Sequence, residues 1–193
     1  MSMRIQSRHP TADHELDAYM SPPCAVRSLI MLEGERIPRV LWEPCCGDGT
    51  GMAIPLREAG YIVETSDIED YGFLRTWSGN ILDDRFPPGV EGVITNPPFT
   101  LALDFIKAAL ARVPYSAWLL RTNFLESTGR LPFFRSNPPA RVLISSRRLP
   151  MMHRYGWEGP RAPSNTCYAW FVWDAAAEEK GRLLWFDWEE WQW

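Results

Sequence analysis

Short apolar runs suited to strands alternate along this chain with stretches whose apolar residues recur at helical spacing. That is the pattern of a parallel sheet covered by helices on both faces. Val26, Leu29 and Ile30 share one stripe of a helix that follows Pro22 and Pro23. It ends near Glu33, because Gly34 stands where a left-handed residue closes a helix. Arg39 to Glu43 predicts a buried first strand, which leads into the turn Pro44-Cys45-Cys46-Gly47-Asp48-Gly49. A second helix starts near Gly51, so that Pro55 falls in its first turn where a missing N–H is harmless; it passes Leu56 and is closed by Gly60. Further strands are expected at Tyr61 to Glu64, weakly around Asn80 to Leu82, then at Gly92 to Thr95, Ala117 to Leu120, Arg141 to Ser145 and Cys167 to Trp173, with a helix over Leu101 to Arg112. The expected fold class is α/β, a doubly wound, mostly parallel sheet of the seven-stranded type.

With 193 residues, the chain has room for one such domain. Residues 1–34 would carry an N-terminal helix on the ligand side. Residues 175–193 would form an acidic tail rich in tryptophan, in which Trp185, Phe186, Trp188, Trp191 and Trp193 are expected to pack on the domain. Hydrophobic residues at 46% and charged residues at 23% suit a globular protein and exclude global disorder. No apolar run approaches the roughly 18 to 20 residues that span a bilayer, and Met1 to Pro10 lacks an apolar signal core. The expectation is a cytoplasmic protein with no membrane partner. The four cysteines, Cys24, Cys45, Cys46 and Cys167, do not form the paired spacing of a zinc site, and adjacent Cys45 and Cys46 cannot bridge without strain. Reduced, packed thiols are expected. His14 and His153 do not combine with carboxylates into a metal site, so no metal is expected.

The formal net charge of −4 hides a segregation along the chain. From Arg112 to Arg161 there are nine arginines and only Glu126 and Glu158 as acids, a local excess of +7. Such an excess can face a polyanion.

Three motifs carry the chemistry. In the first, Glu43 precedes Gly47-Asp48-Gly49-Thr50-Gly51. A glycine turn between strand and helix lets backbone approach a ligand closely, but this one lacks the GxGxxG register of dinucleotide binders. An acid at its edge repels pyrophosphate and suits a cationic amino group, such as the methionine end of S-adenosylmethionine; a purely structural turn is the other reading. In the second, Asp67, after the second strand, can accept hydrogen bonds from two ribose hydroxyls or act as a local cap. The third and sharpest is Asn96-Pro97-Pro98-Phe99, placed after a buried strand at the carboxyl edge of the sheet, where open α/β folds bind ligands. Its prolines remove two donors and fix φ, so the Asn96 oxygen and the adjacent carbonyl become rigid acceptors for an amino group. Phe99 offers a face on which a base could stack, an interaction worth about 1 to 3 kcal/mol.

These elements together resemble the amino-methyltransferase branch of class I S-adenosylmethionine-dependent methyltransferases, in particular phage-type DNA adenine N6-methyltransferases. The matching segments are Tyr19 to Pro23, Glu43 to Gly49, Asp67, Gly79 to Leu82, Asn96 to Phe99 and the last two strands. The resemblance implies a Rossmann-like methyltransferase fold and S-adenosylmethionine as cofactor. It further implies that Tyr19, Ser21, Pro22 and Pro23 contact the cofactor's methionine part. Glu43, Pro44, Cys45, Gly47, Asp48 and Gly49 would hold its amino and carboxylate groups, Asp67 and Ile68 its ribose side, and Asn80 and Ile81 its adenine. Asn96, Pro97, Pro98 and Phe99 would be catalytic in direct methyl transfer to a flipped-out base. Asn80 departs from the family, where an Asp is usual. A sizeable target-recognition segment is also missing, so the interleaved cations and aromatics Arg147, Arg148, His153, Arg154, Tyr155 and Trp157 are expected to meet DNA or, alternatively, to form a solvated loop. RNA adenine, cytosine N4 and a protein glutamine amide are the alternative acceptors, and a binding protein without turnover is the reading from another class.

Overall fold

The computed structural model describes residues 21–73, 77–83, 85–151 and 166–191. Eight strands form one sheet: β1 (Val40–Glu43), β2 (Ile62–Asp67), β3 (Trp77–Ser78), β4 (Gly92–Thr95), β5 (Tyr115–Arg121), β6 (Arg141–Ser145), β7 (Tyr168–Asp174) and β8 (Arg182–Phe186). Their order across the sheet is β3-β2-β1-β4-β5-β7-β6-β8. Only β7 runs against its neighbours, inserted between β5 and β6. The helices are α1 (Pro23–Glu33), α2 (Ala53–Glu58), α3 (Ala102–Leu110) and α4 (Leu131–Ser136). The expected α/β, mostly parallel sheet is what the chain forms, with one strand more than the seven expected.

Alternation along the strands divides the core between the two faces. Leu41, Ile94, Ala117, Leu119, Leu143 and Trp170 point toward α1 and α2. Trp42, Val93, Trp118, Leu120, Val142 and Phe171 point toward α3, with Phe133 and Phe134 of α4 packed against them. Trp42, Trp118 and Trp170 are fully buried.

Three differences from the sequence expectations have local causes. β2 continues past Glu64 through Thr65, Ser66 and Asp67, polar residues that read as a turn; Thr65 and Ser66 are fully buried, and the Ser66 hydroxyl accepts the Trp42 indole N–H at 3.0 Å. β3 lies at Trp77–Ser78 rather than at Asn80 to Leu82. There Gly79 has φ of 152°, the Asn80 side-chain oxygen accepts Leu82 N–H at 2.7 Å and the Asp83 carboxylate accepts Asn80 N–H at 2.9 Å, so the segment is a turn. The acidic tail contributes β8, paired with β6 in register Arg141↔Arg182 to Ser145↔Phe186. Phe186 is buried and stacks on Trp191 at 6.0 Å, as a packed tail requires, whereas Trp185 stays 66% exposed.

α1 is locked to the far end of the sheet. The Arg141 guanidinium donates to Glu33 at 2.8 and 2.7 Å and to Asp174 at 2.7 Å, all three side chains being buried. Trp170 Nε1 donates to the Ala25 carbonyl at 2.9 Å. This fixes the helix so that Ser21, just before it, reaches the opposite, carboxyl edge of the sheet, where Gly51 lies against it. A Cβ on Gly51 would stand 2.6 Å from the Ser21 carbonyl oxygen, so only glycine fits.

Candidate functional site

The carboxyl ends of β1 and β4 meet at one cleft, and the end of β2 is bonded to its glycine turn. Ser21, Glu43 at the end of β1, the turn Cys45 to Asp48 and Asn96 just beyond β4 line this cleft, which is open on one side.

The turn after β1 is rigid for reasons visible in its bonds. Cys46 N–H donates to Ser66 O at 3.1 Å, extending the β1–β2 pairing, and Gly49 N–H donates to Cys46 O at 2.8 Å. Gly47 and Gly49 have φ of 52° and 74°, which side chains with a Cβ rarely adopt. Asp48 accepts the Thr50 N–H at 3.0 Å and its hydroxyl at 2.7 Å, so its carboxylate shapes the turn. Pro44 lies at the strand end leading into it.

Glu43 is buried, and its Oε2 has no hydrogen-bond partner among the described residues. Burial pushes its carboxyl well above the ordinary carboxylate range, and the nearby Asp67 raises it further, while Arg57 opposes both. A buried carboxylate with an orphaned oxygen at the wall of a cleft fits a ligand bearing a positive amino group. The Cys45 thiol is also pushed well up, by burial and then by Asp67, which keeps it protonated. Packing rather than reactivity follows for Cys45 and for the buried Cys46.

Asp67 ends β2 and binds the glycine turn: one carboxylate oxygen accepts Gly47 N–H at 2.9 Å and the other Glu69 N–H at 3.2 Å. Ile68, next to it, is 51% exposed. Asn80 spends its side-chain oxygen on Leu82 N–H, and Ile81 is fully buried in the core beneath, so of these two only Asn80 presents polar groups near the surface.

At the other end of the cleft, Asn96 leads into Pro97, which is buried, and Pro98, whose carbonyl accepts Leu101 N–H at 3.0 Å and starts the run into α3. Phe99 packs against both cores and is held on its ring face by the Arg121 guanidinium, 4.3 Å from the ring centroid, with Tyr168 6.1 Å away. Sequence reasoning did not single out Arg121; its signal is a cation directly after the apolar run that ends at Leu120, at the carboxyl end of a buried strand.

The arginine-rich stretch proves less available to a polyanion than its charge suggests. Arg141 is internal. Arg147, expected to touch nucleic acid, is paired with Asp187 at 2.9 Å and Glu189 at 3.3 Å, and Asp187 raises its already high pKa. The Arg148 carbonyl accepts the Trp188 indole N–H at 3.3 Å. Tyr19, His153, Arg154, Tyr155 and Trp157 lie outside the described residues. Among the described residues, no group of three His, Cys, Asp or Glu side chains could hold a metal ion, and no helix is long and apolar enough to cross a membrane.

Comparison with solved structures identifies the architecture. A candidate RNA methyltransferase of Pyrococcus horikoshii matches with a TM-score of 0.62 at 14% identity, over 84% of this chain and 89% of that one. A candidate class I S-adenosylmethionine-dependent methyltransferase of Listeria monocytogenes matches with a TM-score of 0.58 at 11% identity, over 91% and 67%. The modification subunit of a candidate type I restriction enzyme of Vibrio vulnificus matches with a TM-score of 0.55 at 12% identity, over 91% of this chain and 48% of the subunit, so this chain spans about half the subunit's length. The chain thus has the Rossmann-like fold of class I methyltransferases. No family model matches the sequence, and no curated protein sequence matches it.

Proposed function

We propose that this chain is an S-adenosylmethionine-dependent methyltransferase acting on an exocyclic amino group, with adenine N6 in DNA as the leading acceptor. The observation that carries the reading is that Glu43, the glycine turn and Asn96 line one cleft. The elements that would hold cofactor and acceptor, far apart in sequence, therefore lie on the wall of one cleft.

When bound, the cofactor supplies an electrophilic methyl group. The protein's part is to hold and orient. Glu43 would pair with the ligand's ammonium, an interaction that returns the carboxyl to its charged form. The backbone of Cys45 to Gly49 would cradle the amino-acid end, and Ser21, Pro22 and Pro23 would close the wall beside it. Asp67 would accept ribose hydroxyls, and Ile68 would cover one face of the adenine, with Asn80 near its edge. On the acceptor side, the Asn96 oxygen and the Pro97 carbonyl would accept the two hydrogens of a planar amine. That leaves its lone pair directed at the methyl group and stabilises the positive charge that develops on nitrogen. The Pro98 carbonyl is engaged by Leu101 and so lies outside this pair. Phe99 would stack the base.

The structural neighbours named as a candidate RNA methyltransferase and a restriction modification subunit, with a Plasmodium falciparum dimethyladenosine transferase at a TM-score of 0.51 and 14% identity, support an acceptor in nucleic acid. Incubation of the protein with methyl-labelled S-adenosylmethionine and unmethylated DNA, followed by mass spectrometry of the nucleosides, tests the reading, with RNA and protein acceptors in parallel. N6-methyladenine in DNA is the expected product. Label in RNA, in cytosine N4 or in glutamine reassigns the acceptor, and cofactor binding without transfer to any of them overturns the enzyme.

A further inference from the structure

Arg121 closes β5 at the carboxyl edge of the sheet, where its guanidinium carbon lies 4.3 Å from the centroid of the Phe99 ring. Phe99 ends the Asn-Pro-Pro-Phe turn whose Asn96 lines the cleft, so this cation sits on a ring three residues along the turn from the cleft wall. Tyr168 is its direct partner in the β5–β7 ladder and approaches the same ring. The placement is built: a strand end, a cross-strand neighbour and a proline-stiffened turn together fix the arginine on the ring.

Arg121 differs from three other arginines of its stretch, Arg130, Arg141 and Arg147, in what its donors bind. Arg141 has two carboxylates and Arg147 has two more. Arg130 gives its donors to the carbonyls of Phe124, Asn123 and Glu126. Among the described residues, no carboxylate pairs with Arg121, and its Nε is buried with no hydrogen-bond partner. Stacking on a ring uses the face of a guanidinium and leaves its in-plane N–H donors for another group. A cation without a counterion, presenting donors in a rigid fork, matches a phosphate.

We infer that Arg121 binds a phosphate of the acceptor strand beside the nucleotide whose base enters at Asn96, while its stack fixes Phe99 as the platform for that base. The inference rests on the proposed methyltransferase reading and narrows its acceptor to a nucleic acid rather than a protein amide. It also places the nucleic-acid contact on the sheet edge, next to the reacting amine, where the sequence had located it only in the loop after β6.

The test compares the full chain with its Arg121→Gln, Arg121→Lys and Phe99→Leu variants. Binding of a fluorescent oligodeoxynucleotide is measured by anisotropy between about 50 and 200 mM salt, together with methyl-transfer kinetics, cofactor affinity and melting temperature. Arg121→Gln is expected to bind about tenfold more weakly and to lower the slope of log K against log salt by about 0.7 to 0.9, the loss of one phosphate contact. KM should rise about tenfold with kcat within about threefold, and cofactor affinity should not move. Arg121→Lys should keep most of the slope, and Phe99→Leu should weaken binding with the slope intact. Unchanged binding in Arg121→Gln, or weaker binding with an unaltered slope, overturns the inference and leaves Arg121 a packing partner of Phe99. Two results separate this from the parent reading. A wild-type protein that methylates a peptide amide but binds no oligonucleotide overturns the phosphate contact and keeps methyl transfer. One that binds the oligonucleotide through Arg121 but transfers no methyl group overturns the enzyme and keeps the contact.

Discussion

The Asp67 carboxylate accepts the Gly47 N–H across 2.9 Å, so the end of β2 and the glycine turn after β1 behave as one piece. A residue proposed to hold the cofactor's ribose thereby also sets the shape of the surface that holds its amino-acid end. Asp67→Ala is expected to weaken S-adenosylmethionine binding by more than tenfold in calorimetric titration and to lower stability by about 1 to 3 kcal/mol, because two backbone donors lose their acceptor. Asp67→Asn keeps one oxygen acceptor and should lose affinity with a smaller loss of stability. Unaltered cofactor affinity in both variants would remove Asp67 from the site.

Glu43 makes stability and cofactor binding depend on pH in opposite senses. Its carboxyl is raised in the folded protein, so between the ordinary value of 4.5 and its folded value the native state holds a proton that the unfolded chain has released. Stability from this group is therefore full below that ordinary value and declines as pH rises toward the folded one. The ligand-free Glu43→Gln variant should melt higher than the wild type near pH 8, by roughly 2 to 4 °C for each kcal/mol recovered, with the gap closing near pH 4. Cofactor affinity of the wild type should fall on acidification, and the variant should bind weakly at every pH. Equal melting curves across the range would contradict the buried charge.

Asn96→Ala addresses the transfer itself. Loss of one preorganised acceptor at the reacting nitrogen is expected to lower kcat by about 10² to 10³, equivalent to roughly 2.7 to 4 kcal/mol. S-adenosylmethionine affinity should stay within about threefold of the wild type. Single-turnover methyl transfer gives the first quantity and equilibrium titration the second. Wild-type turnover would eliminate the proposed amine site.

At the opposite end of the sheet, Arg141→Ala would leave Glu33 and Asp174 buried without the cation they share. Breaking a buried ion pair from one side costs about 3 to 5 kcal/mol, measurable as a lower midpoint in urea. Arg141→Met, of similar length and apolar, still strands both acids and should be no better, whereas neutralising all three positions together should recover most of the loss. A single Arg141→Ala change without effect would show the triad to be energetically idle.

Most of the framework was legible because β1, β4, β5 and β7 are apolar runs buried on both faces, and a run of that kind has few other ways to fold. Asn96 was legible for a different reason: two prolines directly after a buried strand constrain the backbone whatever surrounds them. Elsewhere the sequence misled through polarity. Thr65 and Ser66 look like a turn and are interior strand, because Trp42 supplies the Ser66 hydroxyl with a hydrogen bond no local pattern reveals. Arg141 and Arg147 look like a basic face, yet their partners Glu33, Asp174, Asp187 and Glu189 lie 33 to 108 positions away along the chain or in its acidic tail. Arg121 was passed over because a cation at a strand end resembles an ordinary boundary residue until Phe99 is seen beneath it.

The insertion of β7 between β5 and β6 also bears on when the wall of the cleft is fully held. Every described residue lining it precedes Pro97 in the chain, but the helix that brings Ser21 to its wall is fastened by Trp170 and Arg141, 145 and 108 positions from their partners on α1. A nascent chain that has emerged only as far as α3 already carries the glycine turn and Asn96, and holds α1 through α2 and its flanks, by the Arg27–Glu58 pair at 3.3 Å and the Tyr61 hydroxyl on the Gly34 carbonyl at 3.4 Å. The wall at Ser21 is therefore held in full only once β7 slots into place, and a fragment ending before Tyr168 keeps the glycine turn and Asn96 but lacks the Trp170 bond to α1.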